Sequence, residues 1–201
     1  MTRRAAPCLA LALVLASAVR AGPMEPAGRD VRRGPVHISA EETVSTDRGG
    51  KVEARGDVSV GYDMENGDRL ETFSQRARYD EKAGIGVIWD RPKAVWTRKD
   101  PAQPETDLTA DRITLLIKKS ELLAEGHVEV AQTSSTLRAE RVHFFNSEKR
   151  LTADGGRPEF AIRQEGHRTR ISSRDIVAWT DKRRIQFSHQ VQGVVLLRSQ
   201  P

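Results

Sequence analysis

Five histidines, His37, His127, His143, His167 and His189, are the residues of this chain best suited to metal or acid–base chemistry, and no two stand at a metal-ligand spacing. The only cysteine is Cys8, close to the start of the chain. There is no Gly-x-Ser-x-Gly, no phosphate loop and no carboxylate pair that stands out from the other charged positions. The chain therefore reads as a non-enzyme with no metal and no cofactor. Two basic runs, "RQEGHRTR" from Arg163 and "TDKRR" from Thr180, could meet the phosphates of an anionic head group, although solvated turns look the same. What is left is binding through apolar surface, and the apolar pattern is the informative part of the sequence.

That pattern has a period of two. "VEARGDVSV" from Val52 and "LLAEGHVEV" from Leu122 place small and apolar side chains on alternate positions with a glycine at the same place. The inward set by this parity is Val52, Ala54, Val58 and Val60, then Leu122, Ala124, Val128 and Val130, with Glu53, Arg55, Glu125 and Glu129 left to water. The same frame continues through Leu151 and Ala153, slips at Gly155-Gly156, and resumes at Phe160 and Ile162 and then at Ile185, Phe187 and Val191.

These strands belong to a repeat. Units starting at Ile38, Leu108, Leu137 and Ile171 align without gaps, each with an aliphatic start, a polar turn and an aliphatic return at position fifteen: Val52, Leu122, Leu151 and Ile185. Gly56, Gly126 and Gly155 close three of them and His189 the fourth. A degenerate copy covers Glu71 to Trp89, with Phe73, Ala77, Tyr79, Val87 and Trp89 as its apolar positions. Each unit reads as a β-hairpin, which cannot bury its apolar face alone, so the hairpins must stack. Parity changes inside the first arm, as between Ala110 and Ile113, which implies a bulge or corner there, and the repeated glycine fits a strand that bends at the same level. The expected fold is all-β, two facing sheets made of stacked, bent antiparallel hairpins. Two sheets lined with small residues either pack closely or leave a channel.

The flanks follow from composition. The charged "MTRR", the apolar Ala5 to Val19 and the small residues Val19 and Ala21 read as a secretory signal over 1–21, the apolar run being shorter than the roughly 20 residues that span a bilayer. Residues 22–35, rich in Gly, Pro and Arg, read as a flexible lead-in, 36–197 as the β domain and 198–201 as a tail. Cleavage after Ala21 would remove Cys8 and three arginines, so the formal charge of +5 would fall and nucleic acid is not an expected partner.

With "PVHISAEE" from Pro35, "VEARGDVSV", "DLTADRITLLIKKSELLAEGHVEV" and "STLRAERVHFFNSEKRLTADGG" in this order, the chain resembles the LptA/OstA family of lipopolysaccharide transport proteins from about Pro35 to Leu197. The resemblance implies an open β-jellyroll that carries lipid A acyl chains in its apolar interior across the periplasm. It places Val36, Ile38, Val95 and Ala124 on the lipid path. The terminal strands of such an open stack would leave unpaired backbone groups, with Val36 to Ala40 and Gln190 to Leu197 as the edges, so head-to-tail self-association and pairing with jelly-roll domains of the inner- and outer-membrane machinery are expected. A membrane-tethered LptC-like component, if the leader is retained, and a ligand-free structural scaffold remain the alternatives.

Overall fold

The structure, a computed structural model, describes residues 25–27, 30–33, 35–48, 50–165, 167–182 and 184–197. The leader 1–21 and the tail 198–201 lie outside the described residues. The strands are β1 (Glu25–Ala27), β2 (Asp30–Arg33), β3 (Val36–Ser39), β4 (Glu42–Thr46), β5 (Lys51–Asp63), β6 (Arg69–Asp80), β7 (Ile85–Trp89), β8 (Lys93–Thr97) and β9 (Thr106–Thr109). They continue as β10 (Arg112–Leu116), β11 (Glu121–Gln132), β12 (Ser135–Phe145), β13 (Arg150–Asp154), β14 (Glu159–Gln164), β15 (His167–Ser172), β16 (Asp175–Trp179), β17 (Arg184–Ser188) and β18 (Gln192–Leu197). One turn of 3-10 helix, Ile117–Lys119, closes the hairpin between β10 and β11.

All pairings are antiparallel, and they sort into two walls. Wall I runs β1-β4-β5-β6-β7-β10-β11-β12-β13-β16-β17. Wall II runs β2-β3-β5-β6-β8-β9-β11-β12-β14-β15-β18. The long strands β5, β6, β11 and β12 belong to both. The fold is all-β and jellyroll-like, as expected from the hairpin repeat.

The chain passes from one wall to the other at corners, and at five of them the backbone is the same. Gly56-Asp57, Asp90-Arg91, Gly126-His127, Gly155-Gly156 and His189-Gln190 all have two successive positive φ angles, between 42° and 80°. In β5 and β11 the register against β6 and β12 shifts at this pair, the signature of a β-bulge. Glycine serves there because it alone meets no Cβ penalty at such angles, and because space is short: a Cβ on Gly56 or Gly126 would overlap the carboxylate of Glu41 or Asp111. His189 adopts the glycine's backbone conformation at φ 60°, and its Nδ1 lies 2.9 Å from Asp175 Oδ2. Each first arm bends opposite. The amide of Glu41 donates to Gly56 O at 2.9 Å, that of Asp111 to Gly126 O at 2.9 Å and that of Arg174 to His189 O at 2.9 Å.

Two expectations change. The lead-in supplies strands: β1 pairs with β4 and β2 with β3, so β3 is an interior strand and the N-terminal edges are β1 and β2. In the degenerate copy the residues facing inward are Ala77, Tyr79 and Ile88, whereas Phe73 is 47% exposed and Trp89 lies under the Arg76 guanidinium. The turn from Asp80 to Gly84 changes parity between the arms, so continuous alternation across it misplaces β7.

Replacing Gly126 by Ala, which adds only a methyl group at φ 75°, is expected to destabilise the protein by about 1–2 kcal/mol. Urea unfolding followed by circular dichroism measures it; an unchanged midpoint would show that the bulge accepts an ordinary residue.

Candidate functional site

The two walls face each other across a single apolar interior. Inward rows run without interruption from hairpin to hairpin. On wall I, one row reads Ala54, Ala77, Ile88, Ile113, Ala124, Val142, Ala153, Ile176 and Phe187, each paired in register with the next. On wall II, Val60, Thr72, Ala94, Leu108, Val130, Leu137 and Phe160 form the matching row.

Most of the expected lining residues stand in this interior. Val36, Ile38, Val52, Ala54, Val58, Val60, Leu122, Ala124 and Val128 are buried in the shared core. Val130, Leu151, Phe160, Ile185 and Phe187 are partly buried and pack against it. Val95 is the exception. It sits across from Glu71 and Asp107 on the outer face of wall II, and its neighbours Ala94 and Trp96 point inward instead. The corner pair Asp90-Arg91 sets the phase of β8, and a frame carried over from other chains lands one residue away. Trp96 and Phe144 were not singled out by the sequence, although both lie on an alternating strand.

The interior is closed, not vacant, between β3 and β12. A cavity of about 10 Å³ lies between the walls, lined by residues including Val36, Ile38, Val60, Tyr79 and Leu115. That is the lower limit for a single water, and an apolar hole of this size stays dry. Small side chains let the walls approach instead of holding them apart. From β13 onward the seal loosens: Leu151, Phe160, Ile162, Ile171, Ile185 and Phe187 are only half-buried. Phe160 and Phe187 still meet across the gap, with ring centroids 6.1 Å apart.

The side opposite the corners is where the walls have no covalent link, and there they touch through aromatic groups. Trp96 of wall II stands edge-to-face on Phe144 of wall I at 4.4 Å and 77°. Trp96 is fixed from behind. Its indole N–H donates to Asp68 Oδ2 at 3.2 Å, the Arg98 guanidinium lies 4.0 Å over its ring, and Arg98 Nη1 is 3.1 Å from the same carboxylate oxygen. The backbone N–H of Lys99 donates to Asp68 Oδ1 at 3.0 Å and the Asn66 amide to Oδ2 at 3.0 Å. Burial pushes the Asp68 carboxyl up, but the Lys99 amide, Asn66 and Arg98 together outweigh it and hold it below the usual carboxylate range. Three of these donors converge on Oδ2, which fixes the carboxylate in place. A wider surface hollow of about 390 Å³ lies at the outer corner among His127, Glu129, Arg138, Glu140 and Arg157, outside the apolar interior. Among the described residues no group of three or more His, Cys, Asp or Glu could hold a metal ion.

This geometry can be set beside known proteins. Residues 107–192, from β9 into β18, match the family described as LptA/(LptD N-terminal domain) LPS transport protein. Over this segment the chain is similar to that family. A solved structure that it resembles is that of LptH, the LptA homologous periplasmic component of the conserved lipopolysaccharide transport device from Pseudomonas aeruginosa, at 13% identity and a TM-score of 0.48. That likeness covers 83% of this chain and 96% of the other. No curated protein sequence matches the chain. The matched segment holds the corners at Gly126 and Gly155 and the part of the interior that loosens.

Truncating Asp68 to Ala leaves the Arg98 charge and the Trp96 N–H without their acceptor, and is expected to lower stability by about 3 kcal/mol. Because the folded-state value of Asp68 is depressed, its ionic contribution is present above 3.8, the ordinary carboxylate value, and is lost as pH falls through the lower folded value. The stability gap between the parent and Asp68→Asn should therefore narrow in urea titrations carried from neutral pH to below 3.8. A gap independent of pH would remove the ionised carboxylate from the account.

Proposed function

We propose that this protein is a periplasmic carrier that shields the acyl chains of lipopolysaccharide between its two walls during transport from the inner to the outer membrane. The single observation that supports the reading is the unbroken inward apolar row from β5 to β17, dry inside and charged outside, with walls that part toward its C-terminal end. A twelve-carbon acyl chain costs on the order of 10 kcal/mol to expose to water, so a lipid with several such chains does not cross an aqueous space unaided. A lipid tail that slides between the walls replaces side-chain contacts with chain contacts of similar apolar character, and the exchange is close to neutral. The sugar and phosphate head would stay in water beside the basic positions of the turns.

The closed state found between β3 and β12 requires that the walls separate as lipid enters. The loading end is then the half-buried region of Phe160, Ile185 and Phe187. Transfer along a line of carriers needs the sheets to continue from one protein to the next, and the edges suit that. β18 is a terminal strand in wall II with Val194, Val195 and Leu196 each more than half exposed, and β17 ends wall I. Pairing of these edges with β1 and β2 of a second copy, or with a similar domain, would extend both walls.

The filled N-terminal half favours one competing reading, a stacked-hairpin scaffold that carries nothing. A photo-reactive residue placed at Phe187 separates the two. In cells making lipopolysaccharide the carrier predicts a lipid adduct there and none at Glu53 on the outer face; equal labelling, or no lipid in the purified protein, leaves the scaffold. Light scattering over a concentration series should show a mass rising above the monomer, and a constant monomer mass would count against edge pairing.

A further inference from the structure

We propose that Trp96, seated on Phe144 and held by Asp68 and Arg98, is a latch across the open side of the interior which acyl chains must displace to occupy its N-terminal half. The inference rests on the carrier reading and adds to it the residues that gate the path.

Three features of the interior carry it. First, the corners tie the walls together covalently on one side, and on the other side only side chains do so. Those contacts include the edge-to-face stacking of Trp96 on Phe144. Secondly, the contact lies at the boundary between two regimes. Up to β12 the lining is buried and the cavity is about 10 Å³; past β12, Ala153 and Ile176 stay buried while Leu151, Phe160, Ile185 and Phe187 are half-buried. A chain advancing from the looser end meets Phe144, on the last strand of the closed part, with Trp96 seated on it. Thirdly, the two halves of the latch are built differently. Trp96 is anchored to wall II by a hydrogen bond, a guanidinium stacked on its ring and the Lys99 amide behind them. Phe144 is only packed, against Leu122 and Leu151 on its own wall. Opening therefore costs the apolar contact alone, and an acyl chain can take the place of the Phe144 ring while the indole keeps its partner.

This assignment accounts for Asp68, a carboxylate 7% exposed at the margin of an apolar interior. A charge in that position does little for a passive core. It is well placed to hold one large ring at a fixed angle while the opposite wall moves, which makes Asp68 and Arg98 positioning residues for Trp96.

The chain has three tryptophans, so Trp89→Phe and Trp179→Phe leave Trp96 as its only reporter with the latch intact. Purified protein of this kind is titrated with lipopolysaccharide while binding is read independently by co-elution and Trp96 is read by emission and acrylamide quenching. The latch predicts that Trp96 changes emission and quenching in step with binding. Phe144→Leu, which keeps an apolar side chain and removes the ring, should raise the loading rate by about three- to tenfold, as loss of one aromatic contact would. Asp68→Asn should act in the same direction. If lipopolysaccharide does not co-elute, the carrier reading falls and the latch with it. If it co-elutes while Trp96 stays unchanged and Phe144→Leu loads at the parent rate, the latch alone is overturned. Should either variant fail to fold, the Trp96 response of the parent decides by itself.

Discussion

The architecture depends on pairs of residues with positive φ at five of its corners. A β-strand that stays extended belongs to one sheet. Inserting two left-handed residues turns it through an angle while keeping hydrogen bonds on both sides, so β5 and β11 can serve wall I with their first halves and wall II with their second. The facing arm must bend at the same level, and the amides of Glu41, Asp111 and Arg174 close that bend by donating to the corner carbonyls. Exposed pairs then decorate the ridge. Asp111 binds His127, Asp175 binds His189, and Arg76 binds Asp90. The Asp111 carboxylate, with Glu140 nearby, raises the His127 pKa, and Arg76 lowers that of Asp90. These solvated pairs shape the corner more than they strengthen it.

Once the corners are fixed, the distance between the walls is set by what lines them. Alanine at positions 54, 77, 94, 124 and 153 leaves no bulk to hold the walls apart, and the dispersion lost by leaving a gap favours contact. An interior of this kind closes when nothing fills it. Closure does not conflict with carrying a lipid, because the same apolar surface is satisfied by side chains in one state and by acyl chains in the other. The looser packing past β13 falls at the end of the stack, where among the described residues no further hairpin covers Leu151, Phe160 and Phe187.

Much of this was legible from residue order. The gap-free alignment of four units located the corners, because Gly56, Gly126 and Gly155 recur at one place, and the switch in parity between Ala110 and Ile113 coincides with the passage from β9 to β10. Inward positions followed from alternation wherever a strand ran unbroken through a known corner. Val95 fell on the wrong face because its strand starts after Asp90-Arg91, where ordinary residues adopt the left-handed conformation and give no glycine signal. β1 and β2 were hidden for a different reason. Their strand state comes from hydrogen bonds offered by the exposed edges of β4 and β3, and local composition carries no trace of a partner. Asp68, Trp96, Arg98 and Phe144 were invisible as a set, since they converge from separate hairpins and only their three-dimensional neighbourhood defines them.

The outer surface shows how a protein made of sheets avoids sticking by its flanks while leaving its ends free to pair. Large apolar rings on the outer face of wall I are covered by arginines: Arg76 lies 5.6 Å over Trp89, Arg150 4.2 Å over Phe145 and Arg184 5.0 Å over Trp179. Each guanidinium keeps its charge in water while its stem shields the ring, so the flank presents cations to any approaching sheet. Among the described residues β18 has no such cover, and Val194, Val195 and Leu196 are exposed on a strand whose register is given with β15 alone. Charge on the flanks disfavours lateral stacking, whereas the terminal strand offers both hydrogen bonds and apolar surface to a strand added in register. Association is thereby directed along the axis of the stack, the one direction in which the apolar interior of one protein can continue into that of the next.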